Sequence, residues 1–395
     1  MNYNHREKNN KSVKKMTEKR KFVKTPLYLI ALLLAAVMVL SSCGGSGEDT
    51  PKDNPDDIPD INYEPISTDA ADTSDSENDV TTHPDVPVED PSDFPPLNSQ
   101  SGTYYSDASG LLHIDDRVLE VCGYAEETAA NYASLVSKTA DALAGKTNVY
   151  CILIPTAYGI VIPDDIKPQL ENYYDQSASI NDVYSKMSSN VIKVNCYNHL
   201  MMHRDEYVYF RTDHHWTQLG AYYAYETFCQ AKGVEPYTLD QRELSTFDGF
   251  YGTLAQDGQA PDTVFAYHPH SQTATMQFTD KNGTTLDWPI IMDVSDWAAN
   301  SKYNTFAAGD NPITVFTNPE VTDGSVGIIV KESYGNALLP LIVDHYATVY
   351  EIDYRYWQGN LISFANEVGA EDLIFANNMM MVSSVLVGDL STVIN

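Results

Sequence analysis

Apolar runs and amphipathic stretches alternate along most of this chain from about Ser101 onward. Leu111 to Val121 reads as short strands and turns. Glu126 to Ala144 carries Tyr132, Leu135, Val136, Thr139 and Leu143 at helical spacing, with Gly145 as its stop. Val149 to Ile154 is a continuous apolar run closed by Pro155, the pattern of a strand buried on both faces. The spacing next predicts a helix near Ile180 to Ser188, a strand at Val191 to Cys196, a short helical piece around Leu200 and a strand at Tyr207 to Phe210. Gln218 to Lys232 is a helix stopped by Gly233, with Tyr222, Tyr225 and Phe228 assigned to the core.

The pattern changes over residues 245–320. Val264 to Tyr267 and Thr275 to Phe278 are short alternating runs, and Asn282-Gly283 signals a hairpin before Thr285 to Met292. This stretch is read as a β-rich insertion. Alternation of strand and helix then returns: strand Val326 to Val330, helix Asn336 to Val343, strand Ala347 to Ile352, helix Leu361 to Val368, strand Asp372 to Phe375, and a last helix. Such alternation argues for an α/β fold, a parallel sheet flanked by helices, with sites at the C-terminal strand ends.

What precedes the domain differs in composition. Residues 1–42 hold nine Lys and Arg against two Glu and lead into the apolar run Leu27 to Leu40. Fourteen residues fall short of the roughly 20 that a membrane span needs. The run ends Leu40-Ser41-Ser42-Cys43-Gly44, resembling a lipobox, so residues 1–42 are read as a lipoprotein signal peptide and Cys43 as the lipid attachment point. Residues 44 to 100 hold 16 acids, one Lys and nine prolines. A segment of that kind buries too little apolar surface to offset its ordering entropy, and it is expected to be a disordered tether between anchor and domain. The whole chain carries a net charge of −31, which excludes a generic nucleic-acid binder, because phosphate contacts need basic patches.

The chemistry concentrates in two places. Asp213-His214-His215 sets a carboxylate two residues before an imidazole, between an apolar run and a helix. A neutral imidazole takes a proton near pH 7, and a neighbouring carboxylate fixes its tautomer and stabilises the imidazolium. Ser333, after the strand Val326 to Val330, stands at another strand-to-helix junction and is the candidate nucleophile. The alternatives are that Asp213 caps the following helix and that Ser333 caps its own. His214 is expected to face away from His215, and Trp216 to pack beneath the turn. His199 and His203 stand i,i+4 but lack the Glu of a zinc-protease motif and a third ligand, so no metal site is assigned. Cys122, Cys151, Cys196 and Cys229 are widely spaced and are taken as buried free thiols.

Four segments resemble the DHHW proteins, which are close to the SGNH-hydrolase-like domains of AlgX/AlgJ-type alginate O-acetylation proteins. They are Leu153-Ile154-Pro155-Thr156 with Pro163, Arg211-Thr212-Asp213-His214-His215-Trp216-Thr217 with Gly220-Ala221, Lys331-Glu332-Ser333-Tyr334, and Ile352-Asp353-Tyr354-Arg355. The resemblance spans about residues 101–380 and implies an SGNH-like domain over 101–395, with Ser333, His215 and Asp213 as the catalytic residues. Lys331-Glu332 departs from the Gly-Asp that usually precedes the serine. The implied function is an extracytoplasmic, lipid-anchored enzyme that transfers or hydrolyses O-acyl, chiefly acetyl, esters on a cell-surface or exported polysaccharide. Its implied partners are that glycan, the membrane reached through the anchor and a membrane acyl-donor protein; no cofactor is implied. The competing expectation is a glycan-binding or assembly lipoprotein of the same fold without turnover.

Overall fold

The continuous apolar runs form the middle of an eight-stranded sheet in the computed structural model, which describes residues 91–394 except Asn172 and Val385. The leader, Cys43 and the tether up to residue 90 lie outside the described residues. The last part of the stretch read as tether belongs to the domain. Leu97 exchanges backbone and side-chain hydrogen bonds with Asp164, and the Ser99 amide donates to Asp165. Phe94 and Leu97 pack on the core, so ordering begins before Ser101.

Strands β1 (Tyr104–Ser106), β2 (Leu112–Ile114) and β3 (Arg117–Leu119) make a small antiparallel sheet. Helix α1 (Glu126–Leu143) follows, burying Tyr132, Ala133, Val136 and Leu143 along one face, and leads into β4 (Asn148–Ile154). A single turn α2 (Ala157–Ile160), helix α3 (Gln176–Ser185), β5 (Val191–Val194), α4 (Tyr197–Met202) and α5 (Gln218–Lys232) complete the first half. Helix α3 starts four residues earlier than its apolar spacing suggested, because Asp175 caps it through the Ala178 amide.

Strands β6 (Leu244–Phe250) and β7 (Asp262–Tyr267) pair as a separate antiparallel hairpin. The rest of the insertion has another destination. Strands β8 (Thr275–Thr279), β9 (Thr285–Trp288) and β10 (Ile313–Thr317) extend the main sheet. With β11 (Val326–Lys331), β12 (Thr348–Asp353) and β13 (Asp372–Asn378) the order is β5-β4-β13-β11-β12-β10-β8-β9. The strands from β5 to β12 are parallel, and β10, β8 and β9 join antiparallel, so the sheet is mixed. Helices α6 (Leu339–Ile342), α7 (Leu361–Val368) and α8 (Leu386–Val393) lie in the second half. Among the described residues no helix is long and apolar enough to cross a membrane.

Two elements differ from expectation. Among the described residues the run Tyr207 to Phe210 joins no sheet; Tyr209 makes an isolated bridge to Trp216, and the Thr217 amide donates to the Val208 carbonyl. Its apolar character reflects burial of Val208, Tyr209 and Phe210, and burial does not require a neighbouring strand. The helix expected over Asn336 to Val343 is broken into a 3-10 turn at Ser333–Ala337, the short α6 and another 3-10 turn. Pro340 lacks the amide hydrogen that a continuous helix would use.

Candidate active site

The loop bearing Asp213 and His215 is held from several sides. Asp262, fully buried, accepts from the Arg211 and Thr212 amides, from the Thr212 hydroxyl and from the Arg211 guanidinium. Helix α5 begins immediately after the loop and is capped by Thr217, not by Asp213. Gly220 in its first turn is required by space, because a Cβ there would lie 2.4 Å from the Val208 carbonyl oxygen. Trp216 is buried under the turn and donates its indole N–H to the Tyr334 carbonyl at 2.8 Å. One side chain thus ties the two sequence-distant motifs together.

Strand β11 ends at Lys331, and Ser333 opens the 3-10 turn that follows. His215 Nε2 lies 2.7 Å from Ser333 Oγ, and His215 Nδ1 lies 2.5 Å from Asp213 Oδ1. An ionised carboxylate can only accept, so Nδ1 carries the hydrogen and Nε2 is left to accept from the serine hydroxyl. Asp213 is buried and receives three further hydrogen bonds, from the His215 amide and from the amide and hydroxyl of Thr253. Burial works to raise its pKa, but the charge and hydrogen bond of His215 and the Thr253 amide hold it well below the usual carboxylate range. Gly252 makes room for this carboxylate, since a Cβ there would sit 2.2 Å from Asp213 Cβ.

His214 does not face away. Its ring centroid is 3.8 Å from that of His215, and its Nδ1 meets the Thr253 hydroxyl at 2.7 Å. The cause is the loop's tight reversal, which presents successive side chains to the same wall. Burial, with the neighbouring His215, pushes the His214 pKa down to about 4, so this ring stays neutral beside the relay. Ligand atoms of Asp213, His214 and His215 lie within 4.8 Å of one another, near enough to share an ion. Asp213 Oδ1 and His215 Nε2 are, however, already engaged with His215 Nδ1 and Ser333. His199 and His203 turn to separate carboxylates, Glu226 at 2.9 Å and Glu206 at 2.8 Å. Cys122, Cys151, Cys196 and Cys229 are free and buried.

The Lys331-Glu332 departure has a structural role. Glu332 is buried and accepts from the Asn377 side chain and from both the amide and side chain of Asn378, tying the nucleophile turn to the end of β13. Lys331 is wholly buried, with its ammonium 3.0 Å from Glu351, 3.6 Å from Asp310 and 3.7 Å from Asp353. Arg355, one strand over, pairs with Asp310 at 2.9 Å and Asp353 at 2.6 Å.

Several contributors carried no sequence signal. Tyr303, from a 3-10 segment of the insertion, stacks on His215 with centroids 4.0 Å apart and donates to the Ser333 carbonyl at 2.9 Å. Glu120 lines a small recess with Asp213, His214 and Tyr334, and burial pushes its carboxyl pKa up. Neither Tyr303 nor Glu120 belongs to a motif; packing of the insertion against the loop brings in Tyr303, and the end of β3 brings in Glu120.

The family described as DHHW protein matches residues 96–352. No curated protein matches the chain. A DHHW family protein from Eubacterium siraeum, solved by crystallography, is 29% identical, with a TM-score of 0.66 over 76% of this chain and 99% of that one. Bacillus cereus PatB1, solved with a sulfonyl adduct, is 17% identical, with a TM-score of 0.60 over 74% of this chain and 98% of that one. The O-acetyltransferase domain of Pseudomonas putida AlgJ is 14% identical over 73% of this chain and 98% of that one, with a TM-score of 0.36, too low to bear on this fold. The helix-flanked α/β architecture expected from the sequence is the one present here, with a mixed sheet, and it is shared with the Eubacterium siraeum and PatB1 structures.

Proposed function

This chain belongs to the DHHW protein family, and on that premise we propose that it is a serine-dependent enzyme that moves O-acetyl groups on a cell-surface or exported polysaccharide, by transfer or by hydrolysis. The observation that carries this reading is the unbroken relay from Ser333 Oγ through His215 to Asp213. As the serine oxygen attacks an ester carbonyl, His215 Nε2 takes its proton and Asp213 stabilises the imidazolium. The tetrahedral intermediate collapses, the imidazolium returns that proton to the departing alcohol, and Ser333 is left acylated. A sugar hydroxyl or water then gives its proton to His215, attacks the acyl-serine and releases the free hydroxyl of Ser333. Which acceptor prevails depends on how well water is excluded.

The test is covalent. Incubation with a sulfonyl fluoride or a serine-reactive phosphonate is expected to modify Ser333, as identified by peptide mass spectrometry, and to do so far more slowly in His215→Ala. Retention of a glycan by a chain that resists labelling would instead establish the non-catalytic glycan-binding or assembly lipoprotein.

The same proposal places the domain on the extracytoplasmic face of the membrane, anchored through Cys43, with a membrane acyl-donor protein as partner. The motive is the basic leader, the short apolar run and the Leu40-Ser41-Ser42-Cys43 sequence. Cys43→Ala is expected to abolish metabolic incorporation of a fatty acid; unchanged incorporation would remove the anchor from this reading.

A further inference from the structure

A groove of about 460 Å³ runs between the small β1–β3 sheet and the loop at residues 256–259. Both of its walls are bonded to the segment that carries the relay. On one side Val118 donates its amide to the Arg211 carbonyl, and Arg117 donates to the Tyr209 carbonyl. On the other side Leu254 donates to the Thr212 carbonyl, directly after the Gly252-Thr253 pair that seats Asp213. Val118, Leu119 and Leu254 line the recess beside Asp213 and His214, while Arg117 and residues 256–259 line the groove. The same two wall segments thus border both the groove and the recess beside the relay.

The floor and rim have a particular chemistry. Tyr105 is 61% exposed, yet its ring is not loose: it stacks flat on His113, with centroids 4.4 Å apart and planes 6° from parallel. His113 is in turn held by Asp107 at 2.9 Å. The result is an oriented aromatic face with a solvent-facing side, next to the amides of Gln256 and Gln259 and the carboxylate of Asp257. Apolar CH faces of a sugar suit such a ring, and sugar hydroxyls suit the Asp257 carboxylate, while the Gln259 amide already bridges the Gln256 backbone amide and the Asp116 carbonyl. Charge narrows the choice. Arg117 is offset by Asp116 and Asp262, Asp115 and Asp257 add two acids to the groove lining, and residues 101–395 carry 14 Lys and Arg against 37 Asp and Glu. A polyuronate would meet a repulsive field.

We propose that this groove is a glycan subsite, binding an uncharged stretch of the polysaccharide chain over Tyr105 while an esterified unit lies at Ser333. The proposal rests on the reading above for the identity of the reacting unit, and its test is one of binding. The full chain carrying Ser333→Ala is titrated calorimetrically with a tetramer of N-acetylglucosamine and with a uronate tetramer. The neutral tetramer is expected to bind more tightly. Adding Tyr105→Ala is expected to weaken that binding about tenfold, Tyr105→Phe to retain it, and Leu286→Ala, on the distant edge strand β9, to leave it unaltered. No binding of the neutral tetramer, tighter binding of the uronate, or indifference to Tyr105→Ala would each overturn the subsite. A Tyr105-dependent affinity in a protein whose Ser333 resists labelling would keep the subsite and discard the enzyme, so the two ideas fail separately.

Discussion

Ser333→Ala and His215→Ala are each expected to lower turnover of an acetylated sugar or model ester by about 10³-fold or more. Without the Ser333 hydroxyl no acyl-enzyme forms, and without the His215 imidazole nothing 2.7 Å from Oγ can take its proton. The double variant should be little slower than either single one, because groups that act in one proton transfer are strongly non-additive. Asp213→Asn should cost less. It removes the charge that stabilises the imidazolium, but the loop remains pinned by Asp262, and part of the population keeps a usable ring orientation. Since Asp213 is held well below the usual carboxylate range, it stays ionised throughout the neutral and mildly acidic range, and loss of activity there does not arise from its protonation. The measurement is steady-state turnover of matched, folded variants. Wild-type-like rates in Ser333→Ala would end the catalytic reading.

Lys331→Met should be the most damaging change to stability, at about 3–5 kcal/mol, because it strips a buried ion network of one cation. Lys331 and Arg355 supply two positive charges, and Asp310 and Asp353 two negative ones, with Glu351 as a third acid. Burial pushes the Glu351 pKa up to about 7 in spite of the neighbouring ammonium, while Asp310, half-buried, is held well below the usual range by Lys331 and Arg355. With Glu351 protonated the network balances. Deleting Lys331 leaves Asp310, Asp353 and Glu351 facing one guanidinium, with Asp353 and Glu351 fully buried. A melting temperature close to that of the wild type would show that the network contributes little to stability.

Glu351→Gln tests the same balance with the opposite sign. A carboxyl whose folded pKa lies above its unfolded value binds more protons in the folded state between the two. Its contribution is therefore present below the unfolded pKa and declines as pH rises toward the folded one. The wild type should lose stability relative to Glu351→Gln between about pH 4.5 and pH 7, a window bounded by the ordinary and shifted values. Denaturant titrations of both proteins across that range supply the comparison. A constant difference between them would show that the Glu351 pKa is not raised by folding.

How much of this was legible in residue order follows from what periodicity reports. Runs such as Val149 to Ile154 and Val326 to Val330 are apolar without interruption because both faces of β4 and β11 are covered, and that alone is enough to indicate a helix-flanked α/β sheet. The Asp213–His215 contact was equally accessible, since two residues of separation and a reversing loop leave the carboxylate beside the imidazole. Burial does not name a partner, however. The Tyr207 to Phe210 run has the composition of a strand and, among the described residues, bridges its own return through Tyr209 and Trp216 without joining a sheet, and the alternating runs of the insertion did not disclose that β8, β9 and β10 would extend the main sheet antiparallel. Ser333 reaches His215 across 118 residues because β11 delivers it to the sheet's C-terminal edge and Trp216 links the two turns. Tyr303, Gly252 and Thr253 enter from the insertion, where no local pattern marks them, and His214 turns toward His215 because the loop closes on that wall. Residue order determined which segments are buried and which side chains hold reactive chemistry. Only the long-range hydrogen bonds and close packing of the folded chain decided which of them meet, because a short-range pattern carries no information about contacts closed over a hundred residues.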